Sequence, residues 1–427
     1  KVSGYIEVPI SPAVTTPNSV RPDYAAPTSR YLLKALEVSN QEYVEFLNAA
    51  LASNTLVISG DWVVAVGGAQ NTKKLLQLAS NEGIANVSGL FVVKSGKESV
   101  PVTRVTFHGA KAFCDYLTQT NPGSRYDVPD QWQWENAMLR GTGNLDLAKV
   151  NFSNSGRGIS KSGSLGADVS YALGFWPGFF DAAGNVQEWT ASTPAASMTA
   201  FRVLRGAAFN LESPFVSFTK ADQYAGTEEA RPNLGFRPAV VAMAPQIQGL
   251  RDKVVLPASG SARKLTFVAT SLLASPTWAW STVSAPAWAS VADLGSGRVQ
   301  ITLTPPATAQ EATVSLSVAD GSGLTSTVSI PLSVQSGGGF RIEELPASVS
   351  APLGQGATVF HVRAVPAGSS AATVTWSLSG AGALASIESV GPLAAKITVQ
   401  PGATALTNVT VTASGGGQTG AATFAID

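Results

Sequence analysis

The chain has 427 residues with equal numbers of acidic and basic groups, only 13% charged residues and 44% apolar ones. That length suits about three domains, and the apolar content argues against disorder. A balanced net charge offers no field to draw in a phosphate backbone or an anionic membrane. The single cysteine, Cys114, excludes an internal disulfide, a cysteine-based zinc site and a dithiol centre. The two histidines, His108 and His361, exclude a multi-histidine metal site. No apolar run reaches the roughly 18 to 20 residues of a membrane span, and none at the N-terminus resembles a signal peptide, so any leader is expected to have been removed.

Helical patterning is read in the first half of the chain and almost nowhere else. The segment Lys1 to Ala26 is strand-like and punctuated by proline, a form suited to pairing with a sheet edge of its own domain or of a neighbour. Ser39, Asn40, Gln41 and Glu42 have capping-box spacing, and Tyr43, Phe46, Leu47, Ala50 and Leu51 then repeat on one helical face. A second helix is expected near His108, read as its cap, with Ala110, Phe113, Cys114 and Leu117 on one buried stripe. A third is expected after Asp130, with Gln133 at the reciprocal capping position. Residues 141 to 180, rich in Gly, Ser and Asn, read as surface loops.

Beyond Val240 the pattern becomes short alternating segments: Leu265 to Ala269, Val299 to Leu303, Thr313 to Val318 and Val328 to Val334. A glycine hinge at Gly337, Gly338 and Gly339 precedes a second set: Thr358 to Val362, Thr373 to Leu378, Lys396 to Val399 and Asn408 to Thr412. Each set has the length of an immunoglobulin-like sandwich, without the Cys-Trp-Cys signature. The sequence around Trp288 resembles the cadherin-like and dystroglycan-type repeats of bacterial surface proteins, and Trp376 occupies a place similar to Trp280, as in distant repeats. Asp320, followed by Gly-Ser-Gly, reads as a turn.

Several segments of the first half resemble, in order, the formylglycine-generating-enzyme (sulfatase-modifying-factor) family. They are Glu37-Val-Ser-Asn with Phe46-Leu47, Pro101-Val-Thr-Arg-Val-Thr-Phe107, Val128-Pro-Asp-Gln-Trp-Gln-Trp-Glu-Asn-Ala137, Asp181-Ala-Ala-Gly-Asn-Val-Gln-Glu-Trp-Thr190, Val203-Leu-Arg-Gly206 and Gly235-Phe-Arg237. The resemblance implies an α+β C-type-lectin-like domain over residues 1–243, followed by all-β immunoglobulin-like domains over 244–335 and 340–427.

The same resemblance implies which site residues are kept and which are lost. In the family two cysteines bind copper, a soft ion that requires thiolates; the matching positions are Leu211 and Val216. No copper and no oxidase activity are therefore expected. The family's calcium loop matches Asp181 and Glu188 by side chain and Gly184 and Val186 by carbonyl, the hard oxygen ligands that calcium prefers. Capping of turns and pairing with an arginine are the alternative for those two acids. A second calcium would take Asn151 and Phe152.

Trp132, Trp134 and Trp189 read as core packing rather than a sugar platform, and Arg205 and Arg237 as ties to buried carboxylates. Asp61-Trp62 and Phe175-Trp176-Pro177 read as surface contacts. The ligand-binding candidates are Glu212, Phe215, Lys220, Asp222, Gln223 and Tyr224, in loops where this fold builds its recognition face.

The functional expectation is a non-catalytic, extracellular or cell-surface binding protein, adhesin-like, with a lectin-like head that takes a protein or glycan ligand. A self-assembling subunit of a filament, sheath or phage particle is the alternative. A divergent enzyme of the sulfatase-modifying-factor family is the third.

Overall fold

The computed structural model describes residues 3–8, 27, 29–138, 150–152, 158–164, 178–181, 183–211, 223–258, 261–335, 340–350, 356–366, 373–402, 407–415 and 418–426. These form a mostly β chain with three helices among the described residues, divided into two compact units. The first is Lys1–Ala244 with Leu272–Pro276, and the second is Pro245–Ser271 with Thr277–Asp427. Among the described residues no helix is long and apolar enough to cross a membrane.

In the first unit, helix α1 spans Asn40–Ala52. Ser39 caps it: its hydroxyl accepts from the Glu42 amide, and the Glu42 carboxylate accepts from the Ser39 amide at 2.8 Å, so two end donors are satisfied reciprocally. Helix α2 spans Phe107–Thr120, and its cap is Thr106, whose hydroxyl accepts from the Gly109 amide at 3.0 Å. His108 therefore lies inside the first turn and is not the cap; its Nδ1 meets Gln70 at 2.8 Å. A threonine hydroxyl on a short stem reaches back to the amide three residues on. Helix α3 spans Gln131–Met138, with Asp130 accepting from the Gln133 amide at 2.7 Å and Gln133 accepting from the Asp130 amide at 2.9 Å.

Helices α1 and α2 meet through an aromatic cluster. Tyr43 stacks on Phe113 at 5.8 Å, and Phe236 stands edge-on to Phe113 at 5.5 Å. Each such side chain contributes roughly 1.5–3 kcal/mol on burial. Cys114 lies in the same core, fully buried.

Around the helices run short strands that the sequence did not announce. One sheet has the order Tyr5–Val8, Tyr31–Lys34, Ala239–Met243, Ser124–Asp127. The described part of the N-terminal segment thus pairs antiparallel with Tyr31–Lys34 in its own unit. A second sheet has the order Tyr224–Gly226, Phe201–Arg205, Gln187–Trp189, Leu234–Gly235. Strands of two to five residues are too short for alternation to stand out from loop sequence.

The second unit holds two sandwiches of the same plan, each made of two four-stranded sheets. Counted from the start of each sandwich, one sheet runs first, third, sixth, fifth and the other second, eighth, seventh, fourth. In the third strand, Arg263–Thr270, Leu265, Phe267 and Ala269 point inward while Lys264, Thr266 and Val268 point outward. Leu265, Phe267, Val299 and Ile301 from one sheet share a core with Leu316, Ile330 and Leu332 from the other. The same residue offset separates Trp280 from Trp376, and the bulge at Asp293 and Gly295 from that at Ser389 and Gly391. Asp320 makes a turn, its carboxylate accepting from the Ser322 amide at 2.9 Å and from the Ser271 hydroxyl.

Candidate functional site

Among the described residues of the first unit, a group of buried polar side chains surrounds the loop from Asp181 to Trp189. Its backbone is forced into left-handed conformations at Asp181, Gly184 and Asn185, with φ of 52, 89 and 57°. Glycine at 184 has a steric reason beyond φ: a Cβ there would lie 2.3 Å from the Asn151 carbonyl oxygen. That close approach lets the Asn185 amide donate to Asn151 at 2.8 Å.

Glu188 enters the core on strand Gln187–Trp189. Arg237 grips its carboxylate at 2.7–3.0 Å, and the Trp134 indole donates to it at 2.8 Å. Glu188 is therefore the partner of an arginine. Asp181 accepts from the Gly163 amide and is 2% exposed. Val186 is buried beside these groups, and its amide faces Glu37 at 3.3 Å.

Glu37 is the residue that sequence reasoning missed as a site member. It is 1% exposed and accepts from Ser162 at 2.8 Å and Asn185 at 2.9 Å. Burial, then the neighbouring Asp181 and Glu188 carboxylates, push its carboxyl well above the usual range. Burial also raises Asp181, against the Gly163 amide and Arg237. Burial opposes the Arg237 charge, yet Glu188, then Glu37 and Asp181, raise its pKa. Three carboxylates thus share one guanidinium in a sealed site. The signal in the sequence was the acid at the head of the Glu37-Val-Ser-Asn motif.

A second tie lies nearby: Arg205 pairs with Glu135 and donates to Gln131 at 2.7 Å. Trp134 and Trp189 are fully buried, and the Trp189 indole donates to the Val105 carbonyl at 3.0 Å, so neither offers a face to a sugar. Asp61 is exposed, and Trp62 carries the Lys74 ammonium over its ring at 4.6 Å. Asn151 directs its amide to Gly158, Ser160 and Asn185 at 2.9–3.1 Å, while Phe152 packs with Val150, Ala183 and Ala207.

These motifs sit in one continuous stretch that matches a family profile described as the sulfatase-modifying factor enzyme 1-like domain, over residues 11–242, more than half of the chain. The chain belongs to this family. No curated protein matches it in sequence. Among solved structures, the endo-fucoidan hydrolase MfFcnA9 from glycoside hydrolase family 107 is 14% identical over 43% of this chain and 34% of its own, with a TM-score of 0.20. This chain therefore spans about a third of that hydrolase's length. The titin domains Z1Z2 in complex with telethonin are 16% identical over 44% of this chain and 97% of theirs, with a TM-score of 0.19. Likenesses this faint assign neither fold nor activity.

Within the sulfatase-modifying-factor domain, Leu211 closes a turn in which its amide donates to Ala208 at 3.0 Å. Val216, Glu212, Phe215, Lys220 and Asp222 lie outside the described residues, as do Phe175, Trp176 and Pro177. Of the ligand candidates described, Gln223 pairs with the Gln187 amide, while Tyr224 is 43% exposed and stands edge-on to Phe201 at 5.6 Å. Cys114 is held as a thiol by burial first and by Asp127 next, and it sits in α2 rather than beside Leu211. Among the described residues no group of three or more His, Cys, Asp and Glu is arranged to hold a metal ion.

Proposed function

We propose that this member of the sulfatase-modifying-factor family is a non-catalytic, extracellular or cell-surface binding protein, adhesin-like. A C-type-lectin-like head would carry the ligand site, and two immunoglobulin-like modules would carry the head. One observation bears most of the weight: the chain's only thiol is sealed inside α2 and kept protonated. A copper centre of two thiolates has no donors here. The strand order of the two sandwiches, with four strands facing four, supports the immunoglobulin-like reading. The filament alternative drew on the N-terminal segment, whose described strand is already paired within its own unit.

Oxygen consumption with copper and a cysteine-containing sulfatase peptide tests the reading; we expect none, and turnover would overturn it. The ligand face is tested by alanine at Glu212, Phe215, Lys220, Asp222, Gln223 and Tyr224. If a protein or glycan is found to bind and these changes leave its affinity untouched, the face lies elsewhere.

A structural calcium ion belongs to the same proposal. Because Arg237 and Trp134 occupy Glu188, the ion would be held by Asp181, Glu37 and the carbonyl oxygens of Gly184 and Val186. The sealed excess of carboxylate over guanidinium supports this donor set. Saturating calcium at about 100 times its Kd would add about 2.7 kcal/mol of stability over chelated protein. Asp181→Asn should abolish that gain, and equal melting with calcium and with chelator would remove the ion. Asn151 and Phe152 are proposed for a second ion only on the family resemblance.

A further inference from the structure

The second unit holds, between its two sandwiches, a groove of about 530 Å³. That volume falls in the range of small-ligand sites, roughly 300–1,000 Å³. The charged side chains of its lining are matched: Lys253 pairs with Glu311 at 3.2 Å, and Arg341 pairs with Glu343. The one aromatic residue there, Phe340, is 3% exposed, so neither a nucleobase nor a sugar ring finds a face to stack on. What the groove does present is main chain.

Residues 419–423 of the strand Gln418–Ile426 form part of one wall. On one side that strand pairs along its whole length with Thr407–Gly415. On the other, among the described residues, only Ala425 and Ile426 pair, with Ser348 and Val349. Ala425 donates its amide to the Ala347 carbonyl at 3.0 Å on this second side. In a strand the amide and carbonyl of every second residue point the same way, so those of Thr419, Ala421 and Thr423 face the groove. The Ala421 carbonyl bears this out, since it accepts from the Gln335 side-chain amide at 2.6 Å. That carboxamide stands where the N–H of a neighbouring strand would stand.

This edge is unguarded. Open strands are usually blunted by lysine, proline or a β-bulge. In the same unit the outer strands Ala279–Ser284, Ala289–Gly295 and Ala385–Gly391 each carry a shift in register. The strand Gln418–Ile426 keeps its register throughout, and residues 419–423 bear no side chain larger than threonine. Thr419, Ala421 and Thr423 are exposed.

We infer that the groove takes an extended, uncharged polypeptide segment of a partner protein, which adds a strand along residues 419–423 and replaces the Gln335 carboxamide at Ala421. Its side chains beside Thr419 and Thr423 are β-branched, the type that packs well across from threonine on a sheet face. The site is separate from the proposed ligand face of the head and does not depend on it.

Amide hydrogen exchange of the whole chain, read residue by residue by NMR, tests the site with a blocked pentapeptide, Thr-Val-Thr-Val-Thr, as the probe. With the peptide at about ten times its Kd, exchange at Ala421 and Thr423 should slow about tenfold. The amides of Gly420 and Ala422, turned toward Thr407–Gly415, should not change. The same peptide methylated at every backbone nitrogen has no donors and should protect none of them. Gln335→Ala removes the competing carboxamide and should tighten the peptide about fivefold, the worth of one hydrogen bond. Ala421→Pro deletes a donor on the open side alone, where an edge strand tolerates proline. It should weaken the peptide about tenfold at an unchanged melting temperature; if the melting temperature falls, the Gln335→Ala result decides. The proposal is overturned if the peptide leaves exchange at Ala421 and Thr423 unaltered, if the methylated peptide protects them equally, or if Gln335→Ala fails to tighten binding. It is equally overturned if the protein alone sediments as a dimer that Ala421→Pro dissociates, because a second copy then fills the edge.

Discussion

Arg237 holds both carboxylate oxygens of Glu188 through its Nε, at 2.8 and 3.0 Å, and its remaining donors reach the carbonyls of Lys34, Ala35 and Phe180 at 2.9–3.2 Å. One side chain thereby joins three separate stretches of the first unit. Arg237→Ala leaves a sealed carboxylate without its cation and should cost about 3–5 kcal/mol in denaturant unfolding. Glu188→Gln, which keeps the shape and an acceptor for Trp134, should cost less. A loss under about 1 kcal/mol for Arg237→Ala would show that water reaches the pair.

Gly184→Ala places a methyl group against the Asn151 carbonyl and demands a left-handed alanine. The strain should lower stability by roughly 1–3 kcal/mol. Thermal unfolding measures it, and an unchanged midpoint would mean the loop relaxes away from Asn151.

Cys114 should resist alkylation in the folded chain. Burial keeps it a thiol, and the thiolate is the reactive form. Mass spectrometry of iodoacetamide-treated protein at about pH 8, close to a free thiol's pKa, should find no adduct until denaturant unfolds the domain. Fast native labelling would contradict its place in the core.

His108 gives the first unit a mild acid sensitivity. Burial first, then Lys73 and Arg202, depress its folded pKa, while Glu228 opposes them. The unfolded imidazole takes its proton near about pH 6.5, before the folded one does. The contribution of His108 is thus present above that pH and is lost as pH falls through the folded pKa. The side chain is only half-buried, so the effect should stay below about 1 kcal/mol. His108→Gln should flatten the stability profile between about pH 5 and 7, and an unaltered slope would assign the sensitivity to other groups.

The elements legible in the sequence were those with local causes. The Ser39–Glu42 box and the Asp130–Gln133 box act over one helical turn, so spacing reveals them. The long strands of the second unit, such as Thr325–Gln335, show the alternation of a half-buried sheet. His108 was misread because Thr106, two residues earlier, supplies the capping oxygen.

By itself, the sequence determined the order of the family motifs, the lack of a cysteine pair and the two sets of alternating strands, because composition and short-range periodicity are properties of the chain alone. Tertiary structure decided which acids face each other. Glu37 meets Asn185 across 148 residues, and Arg237 meets Glu188 across 49, distances over which spacing carries no geometric information. Folding sets the charge balance of the sealed site, since each carboxylate is costly or stable according to the neighbours brought to it.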